Sequence, residues 1–202
     1  MKVQELFEMP QLINKELFIP KRKIPFCSDT TLKHDYTIIE DNENIIAIKH
    51  NEASAIIGFR DIQTGDATTG VKIFGSVEFK TRPEIMSTEH LDLGRNILQV
   101  DGVEVYGENK KRGLGSSLYL ALIAEGYTII SDNTQYLGGQ ALWKKLAKIS
   151  SVNNFKVYVS IDGEILLENG KPKVYNGSNI NDDELWSLDL SKQYTLFIAK
   201  PN

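Results

Sequence analysis

The stretch NILQVDGVEVYGENKKRGLGSSLYLALI, residues 96–123, decides how the rest of the chain is read. Its first half alternates like a strand, but the apolar phase switches midway: Leu98 and Val100 lie on one parity, Val103 and Val105 on the other, with Asp101-Gly102 between. Two explanations compete. Asp-Gly between alternating runs is a type I′ hairpin signal; one extra residue beside a glycine is also what a β-bulge needs to keep a single strand facing one core. The second half places Leu114, Leu118, Ala121 and Leu122 at helical spacing, which predicts a helix beginning near Arg112 or Gly113. Lys110, Lys111 and Arg112 stand directly before that helix, where their charge opposes the positive end of the helix dipole. An anion at that point would supply the missing counter-charge.

Downstream, YTIISD reads as a short buried strand and GGQALWKKLAKIS as a second helix, with Leu142, Leu146 and Ile149 inward and Lys144, Lys145 and Lys148 outward. Strand, helix, strand and helix in that order imply a locally parallel pair over 97–105 and 127–131. Upstream, YTIIE, NIIAIKH, SAIIGFRD and VKIFGSVEFK over residues 36–80 are β runs with short breaks, which predicts antiparallel neighbours. Residues 81–96 read as a loop or short helix, and FKVYVSID, EILLENG and YTLFIAK as further strands, with the acidic NDDELWSLD among them. The expected fold is α/β of the α+β kind, a mixed and mostly antiparallel central sheet with flanking helices. Residues 1–35, with Pro10, Pro20, Pro25 and the basic KRK at 21–23, read as a short helix and an irregular arm.

Composition narrows the function classes. The chain has 202 residues, enough for one domain with a real core. Twenty-three basic against twenty-seven acidic residues, a net charge of −4, argue against a surface that grips nucleic acid all over. The opening MKVQELFEMPQLINKEL mixes charges among its apolar positions instead of forming a signal-peptide core, and no later run approaches the roughly eighteen apolar residues of a membrane span. A cytoplasmic protein with no membrane partner is expected. Cys27 is the only cysteine, which excludes an internal disulfide, and His34, His50 and His90 lack metal-ligand spacing.

A strand, a glycine-bearing loop and a helix start present free backbone N–H groups, a geometry that binds phosphate. Gly113 and Gly115 let a pyrophosphate approach the backbone closely. A P-loop needs Gly-Lys-Ser or Gly-Lys-Thr, and the chain has neither. A dinucleotide fold needs a third glycine that GLGSSL lacks, although Asp132 ends the next strand at a suggestive distance. A tight turn with solvated cations is the plain alternative.

VYGENKKRGLGSSLYLALI resembles the acyl-CoA-binding segment of the GNAT superfamily of N-acyltransferases, whose pattern is Gln/Arg-x-x-Gly-x-Gly/Ala entering a helix after a strand. Lys110 stands at the Gln/Arg position, Gly113 and Gly115 at the glycines, and the likeness runs from about Ile97 to Ile149. The combination IISDNTQYLGGQALWKKL also resembles small acyltransferase-like proteins encoded by bacteriophages. The resemblance implies a GNAT-like domain over 36–202 in which the family's fourth strand carries a bulge that splays it from the fifth. It favours the bulge at Asp101-Gly102 over the hairpin. It assigns the contacts to acetyl-CoA or another acyl-CoA to Val103, Val105, Lys110, Lys111, Arg112, Gly113, Leu114, Gly115 and Ser116. Gly107 stands where many members have proline. Trp143 sits near the place where relatives carry a tyrosine that protonates the departing thiolate.

Transfer to an amine requires a base, a backbone donor for the thioester carbonyl and an acid. Asp101, Glu104, Asp132 and Tyr136 are the nearest ionisable side chains; Glu104 or Asp132 is expected as base and Tyr136 as acid. The acceptor is an amine-bearing small molecule or protein segment, with nucleic acid the less favoured partner. The alternative is a GNAT-fold protein that has lost catalysis and acts as a binding or interaction module.

Overall fold

The computed structural model describes residues 24–63, 68–85, 88–106, 113–133, 137–186 and 194–202. Their contacts divide into two compact units, one of residues up to Pro83 together with Leu98–Tyr127, the other of Glu84–Ile97 and Thr128–Asn202.

The first unit contains β1 (Phe26–Ser28), α1 (Asp29–Asp35), β2 (Tyr36–Asp41), β3 (Ile45–Lys49), β4 (Ser54–Gln63), β5 (Thr68–Phe79), β6 (Ile97–Val105) and α2 (Leu114–Ala124). Strands β2 to β6 pair antiparallel in chain order, as the short breaks predict. Its sheet is covered on both faces. Ile45, Ala47, Ile56 and Val71 pack with Cys27 and with Leu32 of α1, while Ile46 and Ile57, of opposite parity and paired across β3 and β4, are each 1 % exposed. Such two-sided burial explains why IIAI is a continuous apolar run rather than an alternating one.

Residues 26–35 differ from the expected irregular arm. β1 pairs with β5 through Cys27 and Val71, on the same edge of β5 that takes β6 further along. Gly70 permits this approach, since a Cβ there would lie 2.2 Å from the Cys27 carbonyl oxygen. Ser28 then caps α1 by accepting the Thr31 N–H at 3.2 Å. Residues 1–23, including the KRK run, lie outside the described residues.

α2 is buried around most of its circumference: Ser116, Leu118, Tyr119, Ala121, Leu122 and Ile123 are all inside, and the helix touches β2, β4 and β5. A helix apolar on nearly all sides belongs in a core rather than on a surface.

The second unit contains β7 (Thr128–Ile130), α3 (Leu137–Ile149), β8 (Phe155–Ile161), β9 (Glu164–Ile165), β10 (Leu167–Glu168), β11 (Lys171–Pro172), α4 (Asp182–Leu185) and β12 (Thr195–Pro201). Its main sheet runs β7-β12-β8-β9, with β12 antiparallel to both β7 and β8. Alternation along β12 divides the core. Leu196 and Ile198 join Ile85, Leu91, Leu93, Ile130, Tyr158 and Ile165 on one face, whereas Phe197 stacks with Trp143 of α3 and with Trp186 on the other. EILLENG, read as one strand, is two short ones with different partners: β9 pairs with β8, and β10 with β11.

The fold is α+β with mostly antiparallel pairing. β6 and α2 fall in the first unit and β7 in the second, so the strand–helix–strand segment spans the division. Among the described residues no helix is long and apolar enough to cross a membrane.

Candidate functional site

The register of β5 and β6 resolves the phase switch. Ser76, Val77 and Glu78 face Glu104, Val103 and Gly102, but Phe79 faces Val100, so Asp101 is an extra residue on β6. The strand continues through Asp101-Gly102 as a bulge, and a hairpin there is excluded. Beyond it Val103 is 46 % exposed, and Glu104 and Val105 are half-buried.

The backbone direction of these residues follows from one bond. Tyr106 N–H donates to the Phe74 carbonyl at 2.8 Å, which makes 106 and 74 a hydrogen-bonded pair of the ladder. By alternation Glu104 and Ser76 form another, while Val103 and Val105 sit in the intervening pairs and turn their N–H and C=O groups away from β5.

On one face of the same strand, three polar side chains meet. Tyr106 hydroxyl donates to Glu104 Oε2 at 2.6 Å, and Ser76 Oγ lies 3.4 Å from the Tyr106 hydroxyl oxygen. Glu104 and Tyr106 share the face because they are two residues apart on an extended chain, and Ser76 shares it as the cross-strand partner of Glu104.

Gly113 caps α2 with φ 76° and ψ 11°, a left-handed conformation that glycine adopts without steric cost. The Ser117 N–H donates to the Gly113 carbonyl at 3.1 Å and starts the helical ladder, so the Leu114, Gly115 and Ser116 N–H groups precede it and have no acceptor within the helix. Ser116 is only 6 % exposed, and its side chain belongs to the unit's interior. Ser117 is exposed and its Oγ donates to the Gly113 carbonyl at 3.5 Å, a local contact within the first turn.

Of the residues read from sequence, Val103, Glu104, Val105, Gly113, Leu114, Gly115 and Ser116 lie in the first unit. Asp132 follows β7 in the second, half-buried. Gly107, Lys110, Lys111, Arg112 and Tyr136 lie outside the described residues. Tyr106 and Ser76 escaped the reading, although Glu-x-Tyr at a strand end is the spacing that puts two side chains on one face.

Other chemistry is less well provided for. Cys27 is 7 % exposed, and burial, with Asp35 and Asp29 nearby, pushes its thiol up, away from the nucleophilic thiolate. Among the described residues no three His, Cys, Asp or Glu side chains are grouped to hold a metal ion. A cleft of about 260 Å³ lined by Thr37, Ile39, Ile48, Lys49, His50, Glu52, Glu125 and Tyr127 lies beyond the C-terminal end of α2. With eleven residues, α2 is about 16 Å long, so the cleft is at the far end from Gly113. Trp143 is 2 % exposed and stacked on Phe197, a core side chain.

Compared with protein-family models, curated proteins and solved structures, the chain matches none.

Proposed function

We propose that this chain is a GNAT-type N-acyltransferase that moves an acyl group from acyl-CoA to an amine. The observation that carries the reading is a bulged strand, β6, followed in the same unit by a helix whose first N–H groups are preceded by a left-handed glycine. The fit to a pyrophosphate is direct: Gly113 needs no Cβ, the first turn of α2 directs N–H groups along its axis, and Lys110, Lys111 and Arg112 precede it in sequence. Val103 and Val105, with backbone groups turned off β5, supply donors for the thioester carbonyl and the extended arm of the ligand.

Acyl-CoA, when bound, supplies a thioester whose C–S bond breaks as the new C–N bond forms. Glu104 takes the proton that the attacking amine loses. Val103 N–H or Val105 N–H bonds to the carbonyl oxygen as negative charge develops on it, and the released thiolate is protonated by Tyr136 or by water. Asp132 is the second candidate base. Amine-bearing small molecules and protein segments are the proposed acceptors, with nucleic acid behind them, and the splayed parallel pair of the GNAT fold belongs to this same proposal.

A second reading has an observation of its own. Trp143 stands near the family's acid tyrosine and is packed into the core, which favours a protein that binds acyl-CoA without transferring from it. Calorimetry with acetyl-CoA tests the binding shared by both readings. Mass spectrometry of amines, peptides and nucleic acid incubated with acetyl-CoA separates them, since only the enzyme adds an acetyl group.

A further inference from the structure

We propose that Tyr106 is a positioning residue for the base Glu104, an inference that rests on the acyltransferase reading. Three observations support it. The Tyr106 hydroxyl donates to Glu104 Oε2 at 2.6 Å, within the short range of a bond to a carboxylate. The bond is built into the backbone, because Tyr106 continues the β6 ladder through its N–H to Phe74 and so holds its ring on the face that Glu104 occupies. Ser76, directly across from Glu104, reaches the phenol oxygen at 3.4 Å and completes a line of hydroxyl, hydroxyl and carboxylate along that face.

A glutamate at a strand end has three side-chain torsions, and an unrestrained carboxylate visits many orientations. Tyr106 fixes one oxygen. With Oε2 held as acceptor, the carboxylate is restrained in the orientation from which it takes the amine's proton. The phenol keeps its own proton throughout. Ser76, donating to the phenol oxygen, polarises that hydroxyl and strengthens its bond to the carboxylate.

The test is a double-mutant cycle on the intact protein, with acetyl-CoA as donor and spermidine, a lysine-containing peptide and single-stranded DNA as acceptor probes. Thiol release and product mass are followed. Tyr106→Phe keeps the ring and removes only the hydroxyl; kcat is expected to fall roughly 10- to 100-fold, the scale of a misplaced catalytic group, with acetyl-CoA affinity unchanged by calorimetry. In the Glu104→Gln background the same change is expected to cost less than about twofold, because the carboxylate it positions is gone. Ser76→Ala is expected to show a smaller loss that also vanishes in the Glu104→Gln background, and it serves should Tyr106→Phe not fold. Losses of equal size in both backgrounds, or full activity of Tyr106→Phe, overturn the role of Tyr106 while leaving the acyltransferase intact. A wild-type protein that binds acetyl-CoA and transfers to no probe overturns the acyltransferase reading itself, and this role with it.

Discussion

Replacing Gly113 with glutamate separates the fold of α2 from its proposed ligand. Gly113 has φ 76°, where an ordinary side chain costs about 1–2 kcal/mol. A carboxylate at a helix N-terminus recovers roughly 0.3–1 kcal/mol from the dipole. The net loss is about 1 kcal/mol, which for a chain of this length lowers Tm by about 2–4 °C and leaves the protein folded. Affinity responds on a different scale. At about 5 Å and an effective dielectric constant of ~20, the new carboxylate and one phosphate charge repel by about 3 kcal/mol, on the order of a 10²-fold loss in Kd per charge. Gly113→Ala carries the backbone strain without the charge, so its stability falls by the full amount of about 1–2 kcal/mol while its affinity falls much less. Circular dichroism melts and calorimetric titration with acetyl-CoA read the two effects. Near wild-type affinity in Gly113→Glu, or an equal affinity loss in Gly113→Ala and Gly113→Glu, would refute the placement of a phosphate at this glycine.

Glu104→Gln and Asp132→Asn distinguish the two candidate bases: the true one reduces acyl transfer by roughly 10²–10⁴-fold with acetyl-CoA binding retained, and the other leaves turnover near wild type. Gly70→Ala drives a methyl group against the Cys27 carbonyl, whose oxygen would be 2.2 Å from the new Cβ, and is expected to loosen β1 from β5. Cys27, protected in the wild type at 7 % exposure, should then react with an aromatic disulfide reagent before global unfolding. Tyr175 is fully buried, its hydroxyl finds no hydrogen-bond partner among the described residues, and burial, assisted by the negative Asp182, pushes its pKa up to about 12. A raised folded pKa gives stability that is whole below the unfolded tyrosine value near 10 and is lost as pH rises toward about 12. Tyr175→Phe should flatten that alkaline limb in denaturant melts and, by removing an unpaired buried hydroxyl, raise stability at pH 7 by about 1 kcal/mol.

Periodicity carries most of the fold. The strands over 36–80, α2 and α3 are all legible because their apolar positions recur over many residues, and Leu146, an inward position on that pattern, is fully buried. α1 has no such signal, since a seven-residue helix that buries only Leu32 leaves nothing to repeat. Asp101-Gly102 is ambiguous for another reason. The same dipeptide suits a tight turn and a bulge, and only the pairing with Glu78 and Phe79 on another strand decides between them. The candidate site divides along the same line. Gly113 is legible as a local backbone requirement, whereas the contact between Ser76 and Tyr106 depends on a strand register that no local pattern contains.

The position of β12 between β7 and β8 sets an order of events during synthesis. β7 is made at Thr128–Ile130, yet one strand it pairs with, Thr195–Pro201, emerges about 65 residues later, several seconds at ordinary translation rates. β8 waits for the same partner. Until it arrives, Ile129, Ile130, Val157 and Val159, all fully buried in the finished fold, lack their cross-strand partners on β12. The second unit therefore completes its pairing late in synthesis, whereas the β2–β5 meander of the first is joined by short local connections and pairs strand by strand as it is made.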